Sequence, residues 1–313
     1  MNARIVIITG ANSGIGKAAA KRFASEGYHV IMACRNAAAG AIVQNEIIAQ
    51  TGNKHVHVME LDVSSFDSIR RFSSLYKEQY GKLDVLIHNA AHFKHGEKHY
   101  QLSADHVELT FATNVFGPYL LTRLLTGCLR QSDDARILNA CSTNIKHFFN
   151  PKRLIDFDRL QGEHMETQPY NAYKMYGDSK MALLLLTKKL AEQFKEDGIQ
   201  VNALQIPATK IAKDKVRQIG SYWRILATVQ NVFNPPPEGV AHNYYEICSS
   251  DRFKSVTGQL INHQLQLIQP GLPNPNPLTQ AKQIFGSRFY PSYASDSAST
   301  ERVWQLCKQI TSN

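Results

Sequence analysis

The residues best suited to chemistry in this chain are a tyrosine and a lysine four positions apart, Tyr176 and Lys180. On a helix that spacing sets both side chains on one face, where they can address the same small group. A phenol with an unperturbed pKa of about 10 is a poor proton donor or acceptor at neutral pH, but a neighbouring ammonium favours the phenolate and lowers that value. A tyrosine tuned in this way can protonate a carbonyl oxygen as hydride reaches the carbon, or deprotonate an alcohol in reverse. Ser142 could give the same oxygen a second hydrogen bond. Spacing alone does not choose the tyrosine, because Tyr170 and Lys174 are also four apart.

A second stretch with chemical content lies near the N-terminus, Arg4 to Phe23, RIVIITGANSGIGKAAAKRF. The apolar run Ile5 to Ile8 stops at a loop carrying Gly10, Gly14 and Gly16, and a helix-compatible pattern through Ala18, Ala19, Ala20 and Phe23 follows. Glycine lets backbone come close to a ligand, and the N–H groups and positive dipole end of the next helix attract phosphate. The spacing is G-x-x-x-G-x-G, not the G-x-G-x-x-G of the dinucleotide fingerprint, so alone it equally suits a turn between two core elements.

Arg35 follows the next apolar run, about 20 residues beyond the loop, with no acidic neighbour. An Asp or Glu there would bond adenosine ribose hydroxyls, whereas an Arg pairs with a 2′-phosphate. Arg35 therefore points to NADP over NAD, with a solvated surface arginine as the alternative. Asp62 and Val63 suit an adenine edge, although an Asp in that place can also cap a helix, a task open to Ser64 or Ser65. Asn89 could bridge strand ends and cofactor, or simply make a turn.

The elements that must carry these residues alternate. After the first strand and helix, Tyr28 to Ala33 reads as a strand closed by Cys34, Arg35 and Asn36, and Ala37 to Gln50 as a helix broken by Gly52. His55 to Leu61 is a strand, Phe66 to Tyr80 a helix, and Leu83 to His88 a strand. Ser103 to Leu129 is expected as one long helix, then Ala135 to Cys141 as strand, Tyr173 to Lys195 as helix and Gln200 to Ile206 as strand. Such alternation calls for a doubly wound parallel sheet covered by helices on both faces, with ligands beyond the carboxyl ends of the strands. Past Pro207 the pattern loosens. One or two helices are expected over Lys210 to Phe233, a helix over Glu238 to Ser249, and a last strand over Gly258 to Asn262. Gln269 to Pro277 reads as a proline-rich connector, and Ser299 to Ile310 as a C-terminal helix with Ser299 as its cap.

Composition excludes little but bounds much. A hydrophobic fraction of 43% and a charged fraction of 19% over 313 residues describe an ordinary globular protein with a substantial core. The net charge of +9 favours anionic ligands, but the basic residues are scattered, so no nucleic-acid partner is expected. Five distant cysteines with no CxxC pair fit a reducing compartment. The longest apolar cluster, Met181 to Leu186, is too short to span a bilayer, and the glycine loop comes too early to follow a signal peptide. A cytoplasmic protein is expected. His88, His92, His95 and His99 cluster after the fourth strand, but Gly96 and the charges around it suggest a solvated loop, and no metal site is assigned.

Taken in order, TGANSGIG at Thr9 to Gly16, Asp62-Val63, Asn89-Ala90-Ala91, Asn114 in TNVFGPYLL, Ser142 after NAC and YGDSK at Tyr176 to Lys180 resemble the short-chain dehydrogenase/reductase family. CRN at Cys34 to Asn36 and the C-terminal Val303-Trp304 helix are similar to its retinol dehydrogenase and WW domain-containing oxidoreductase branch. The resemblance implies Tyr176 as acid/base, Lys180 as its tuner and ribose ligand, Ser142 as the group orienting the carbonyl, and Asn114 as holder of a relay water. It also implies a cofactor site drawn from Gly10, Asn12, Ser13, Gly14, Ile15, Gly16, Arg35, Asn36, Asp62, Val63, Asn89, Ala90, Tyr176, Lys180 and Pro207. Context then favours Tyr176 over Tyr170, leaving Tyr170 and Tyr173 to line the pocket or pack. Departures are HNAA where the family usually has NNAG, Pro207-Ala208 for a proline-glycine pair, and Ala212 for an expected threonine.

The expectation is a single Rossmann domain: residues 1–268 form the dinucleotide-binding and catalytic part, and 269–313 a connector and helix packed upon it. Its function would be hydride transfer between NADP(H) and a small apolar alcohol, aldehyde or ketone. The alternative is an NADP(H)-binding sensor or scaffold with weak or lost turnover, which Ala208 and Ala212 motivate. A homo-oligomer is also expected, since many of the family assemble.

Overall fold

The computed structural model describes residues 3–161, 169–210 and 234–312. Seven parallel strands form one sheet in the order β3-β2-β1-β4-β5-β6-β7. They are β1 (Ile5–Thr9), β2 (His29–Cys34), β3 (Val56–Glu60), β4 (Val85–His88), β5 (Arg136–Ser142), β6 (Gln200–Ile206) and β7 (Leu260–Ile261). Every residue of β4 and β5 is buried, as strands covered on both faces require. Side chains alternate between two cores. Ile7 and Ile31 join the core shared with α3 (Phe66–Gln79), while Val6, Ile8, Val30 and Met32 join the one shared with α1 (Gly14–Ser25) and α2 (Ala37–Thr51).

Strand order reverses between β1 and β4, opening a crevice at their carboxyl ends where such sheets take ligands. Thr9 closes the floor of that crevice. Its hydroxyl donates to the Ile87 carbonyl at 3.3 Å and accepts from the amides of Asn89 at 3.0 Å and Ala90 at 2.9 Å. No helix among the described residues is long and apolar enough to cross a membrane.

Three expectations are corrected. Ser103 to Leu129 is not one helix: after a loop come α4 (Leu109–Phe111), a π-helical turn over Ala112–Phe116, and α5 (Gly117–Leu129). Ser103 N donates instead to Val107 O at 2.7 Å, His106 takes a positive φ of 56°, and the Glu108 carboxylate caps Phe111 N at 2.8 Å. These local bonds satisfy the backbone before a helix can start. The C-terminal helix is capped by Asp296, whose carboxylate accepts from Ser299 N at 2.7 Å, so Ser299 lies inside it. The proline-rich connector is also more ordered than its composition suggests. Gln269–Pro270, β8, pairs in parallel with Phe289–Tyr290, β9.

Helix α6 (Ala172–Gln193) and the helix Pro237–Ser249, α7, lie within two residues of expectation at each end. Helix α8 (Pro277–Phe285) and the last helix α9 (Ser297–Ile310) complete the chain. The tail is tied to the sheet-covering helices. Trp304 meets Tyr119 of α5 edge-on at 5.3 Å, and Lys188 Nζ of α6 donates to Ala294 O at 2.7 Å. The helices expected over Lys210 to Phe233, with Trp223 and Ala212, lie almost wholly outside the described residues.

Candidate active site

Helix α6 starts at an Asn171 cap, whose side chain accepts from Lys174 N at 3.0 Å, and so presents Tyr176 and Lys180 to the end of β5. Ser142 is the last residue of β5 and begins the 3-10 turn Thr143–Phe149. Its hydroxyl accepts from Asn144 N at 3.2 Å and shares a hydrogen bond with Tyr176. Lys180 is buried, with Nζ donating to Ala140 O at 2.8 Å and standing 5.6 Å from the Tyr176 ring centroid. The three side chains therefore meet at one strand end.

Electrostatics reverses one expectation. Burial pushes the Tyr176 phenol up to about 12, and the bond with Ser142 offsets only part of that. Burial also pushes Lys180 down to about 8. Desolvation disfavours the charged form of both groups, and with the Lys180 ammonium directed at Ala140 O it outweighs the lowering that spacing alone suggests. At neutral pH Tyr176 is a protonated phenol.

Asn114 lies in the π-helical turn, buried behind the site. Its amide oxygen accepts from His92 N at 2.8 Å, and its nitrogen donates to Ser179 Oγ at 3.0 Å and to His92 O at 3.2 Å. Ser179 Oγ in turn donates to Tyr176 O at 2.8 Å. Its side chain thus braces the loop after β4 against α6.

A cleft of about 440 Å³ joins Ile15, Asn89, Ser142, Tyr176, Lys180 and Pro207, six of the residues singled out by sequence. Asn89 bridges strand ends as expected, with Nδ2 donating to Thr9 O at 2.9 Å. Its Oδ1 accepts from Tyr244 at 3.2 Å, a fully buried α7 residue that no sequence pattern flags. Ala90 packs against Gly10, whose φ is +67°. A Cβ on Gly16 would fall 2.3 Å from Gly10 O and 2.7 Å from Asn89 Nδ2, so the loop folds on itself only with glycine there. Ser13 takes the N-cap position of α1, and the first turn, Gly14 to Lys17, holds no acidic side chain. Gly14 instead borders a neighbouring hollow lined by Lys17, Lys21, Lys210 and Glu238. A closely folded loop at a helix N-terminus with no negative charge fits a pyrophosphate.

The remaining candidates sit farther along the crevice. Arg35 is exposed at the end of β2 and helps hold the pKa of His92 down, second to burial. The Asn36 side-chain Oδ1 caps α2 by accepting from Ala39 N at 2.9 Å. Asp62 Oδ1 accepts from Ser64 N at 2.9 Å and Ser64 Oγ at 2.7 Å, while Ser65 caps α3. Val63 is buried.

Part of the cleft lining is aromatic: Tyr173 lines it, one of the two places expected for it, whereas Phe93 was not foreseen. Phe93 lies 4.6 Å from the Tyr176 ring and 5.1 Å from Tyr173, and His95 Nδ1 is 2.8 Å from the Tyr173 hydroxyl. A lone phenylalanine in a charged, histidine-rich loop carries no sequence signal for such a place. Tyr170 belongs elsewhere. Its hydroxyl donates to the buried Glu108 carboxylate at 3.0 Å, and burial, followed by the Glu108 charge, raises its pKa well above the usual phenol range.

Comparison with known proteins bears on the family and the fold. A family model described as short chain dehydrogenase matches residues 4–150. Retinol dehydrogenase 11 of Mus musculus is 33% identical over 255 residues, covering 82% of this chain and 76% of that protein. Retinol dehydrogenase 13 of Homo sapiens is 37% identical over 201 residues, 64% of this chain but only 57% of that protein. Among solved structures, a short chain dehydrogenase of Shigella flexneri 2a strain 301 complexed with NADP superposes with a TM-score of 0.64 at 22% identity, covering 84% of this chain and 98% of that one. At that identity the likeness speaks for the fold. By its sequence relatives, the chain belongs to the short-chain dehydrogenase/reductase family, in its retinol dehydrogenase-like branch.

Proposed function

We propose that this protein is an NADP(H)-dependent oxidoreductase that interconverts an apolar alcohol with its aldehyde or ketone. The observation that carries the reading is the meeting of Ser142, Tyr176 and Lys180 in one cleft with Asn89 and Pro207. The cofactor, when bound, supplies or accepts the hydride. Gly10, Asn12, Ser13, Gly14, Ile15 and Gly16 would hold its pyrophosphate, Arg35 and Asn36 the 2′-phosphate end, and Asp62 and Val63 the adenine. Asn89, Ala90, Lys180 and Pro207 would hold the nicotinamide half.

In reduction, hydride reaches the carbonyl carbon while Tyr176 Oη gives its proton to the oxygen and Ser142 Oγ orients that oxygen. The buried Lys180 ammonium steadies the negative charge that this leaves on the phenol. Phe93, Ile206, Pro207 and Ala208 make the wall apolar, which suits an apolar substrate of the kind the relatives' names indicate, retinol being an apolar alcohol. Residues 1–268 serve this chemistry as one unit, with 269–313 packed upon it, in a cytoplasmic homo-oligomer. Tyr176→Phe is expected to abolish carbonyl reduction while leaving NADPH affinity within about threefold. Unchanged turnover would remove Tyr176 from its role, and a protein binding neither NADPH nor NADH would end the reading.

A second reading, an NADP(H)-binding sensor with weak or lost turnover, is favoured by two observations at the site. Ala208 stands in the cleft where the family has glycine, and the Tyr176 phenol is held near 12. Firm NADPH binding with no turnover over a broad panel of aldehydes and ketones selects it.

A further inference from the structure

Away from the cleft, α6 carries a buried carboxylate that the proposed reaction does not use. Asp178 lies two residues after Tyr176 and two before Lys180, and its side chain is 1% exposed. It forms ion pairs with Arg153 and, at 3.3 Å, with Lys174 of the same helix. Lys174 also faces Asp156 at 3.5 Å, and Arg302 of α9 borders the same hollow, directed at Asp158 at 3.8 Å.

Arg153 is the unusual member. It sits just beyond the 3-10 turn that opens directly after Ser142, with its guanidinium 4.9 Å from the Phe148 ring of that turn. The same guanidinium donates to Lys174 O at 3.1 Å, and its Nη1 to Leu154 O at 3.1 Å. The segment passes within van der Waals reach of α6 at Gly177, where a Cβ would stand 3.8 Å from Asn144 O and 3.9 Å from an Arg153 nitrogen. One guanidinium thus grips both the segment continuing from Ser142 and the helix turn carrying Tyr176.

We propose that the Arg153–Asp178 pair is a positioning device, holding the Ser142 turn in register with Tyr176 so that both oxygens meet the same substrate atom. The role in catalysis rests on the oxidoreductase reading, but the positioning itself does not. Removing one partner of a buried pair leaves the other uncompensated, so the grip depends on the Asp178 charge. Burial brings that carboxyl up to about 6 against the pull of Lys174 and Arg153, so the grip weakens as pH falls through that value.

The test is NMR of protein labelled with ¹³C at the tyrosine Cζ, with Tyr176 assigned by loss of its resonance in Tyr176→Phe. In the wild type the Tyr176 resonance should move between pH 5 and 7.5 with an inflection near 6; in Asp178→Asn it should be displaced and flat, and in Asp178→Glu largely restored. If Asp178→Asn fails to fold, Arg153→Met, altered at the less buried partner, should displace the resonance in the same way. A Tyr176 resonance in the folded variants identical to wild type across the range overturns the proposal. Where carbonyl reduction is measurable, Asp178→Asn should lower kcat about tenfold and erase its acid limb, with KM for NADPH changed less than twofold. A wild type that turns over nothing yet shows the NMR inflection would defeat the oxidoreductase reading alone.

Discussion

Tyr176 is poised to give a proton and reluctant to lose one, because the desolvation that raises its pKa to about 12 acts on the phenolate alone. Carbonyl reduction starts from the protonated phenol, so Tyr176 itself adds no slope between pH 6 and 7.5, and the fall in rate near pH 6 is the acid limb assigned to Asp178. Alcohol oxidation starts from the phenolate, whose population rises about tenfold per pH unit below the pKa. Oxidation should therefore climb steadily from pH 6 to 8, and initial rates in both directions on one substrate check this; oxidation that is flat over that range would contradict the phenol's assigned state. Arg35 makes a separate prediction. A charge-assisted pair with a phosphate contributes about 1.5–3 kcal/mol, so Arg35→Ser should weaken NADPH binding roughly 10- to 100-fold while leaving NADH within about twofold. Equal losses for both cofactors, measured by fluorescence titration, would assign Arg35 to the surface.

At the scale of elements, a close approach links helix α5 to the turn after β3. A Cβ on Gly117 would sit 2.0 Å from Val63 O and 2.9 Å from Val63 Cγ1. Alanine is favoured over glycine in a helix by about 1 kcal/mol, but overpacking against backbone typically costs about 1–3 kcal/mol or more. The nearest atom is a carbonyl in a turn pinned by the Ser64 and Ser65 bonds, so the clash should win. Gly117→Ala is expected to lower stability by roughly 2 kcal/mol, read as a shift in the urea midpoint; a midpoint at or above wild type would show that the two elements slide apart freely. What the sequence made legible follows the same division. The strands and α6 were readable because periodicity and capping are local, and the motif residues because they crowd the strand ends. The break at Ser103 to Glu108 depends on a carboxylate capping three residues ahead and on a positive φ at His106, neither of which periodicity encodes. Phe93 enters the site through the path of the loop after β4 and Tyr244 from α7 far along the chain, and the direction of the Tyr176 shift depends on burial, none of which spacing reveals.

Over the whole molecule, acid sensitivity has an identifiable source in the strand that ends just before Asn89. His88 ends β4 wholly buried, with Nε2 2.8 Å from the Thr122 hydroxyl of α5, and burial pushes its pKa down to about 3. In the unfolded chain the same imidazole titrates near 6.5. Between those values the unfolded state binds the extra proton and the folded state does not, so stability is complete above about pH 6.5 and falls as pH drops through the window, by up to about 1.4 kcal/mol per unit. Other groups slope the same region, His29 and His57 in the same direction and the buried Asp178 in the opposite one, so a single acid titration cannot isolate His88. Comparison with His88→Asn can, since the family's usual residue there is asparagine and its amide can still meet Thr122. The difference in unfolding free energy between the two proteins, followed by urea denaturation at pH 7.5, 6.5, 5.5 and 4.5, should shift in favour of the variant as pH falls. A difference constant across the series would mean that His88 takes up its proton in the folded sheet, and that its surroundings relax enough to solvate the charge.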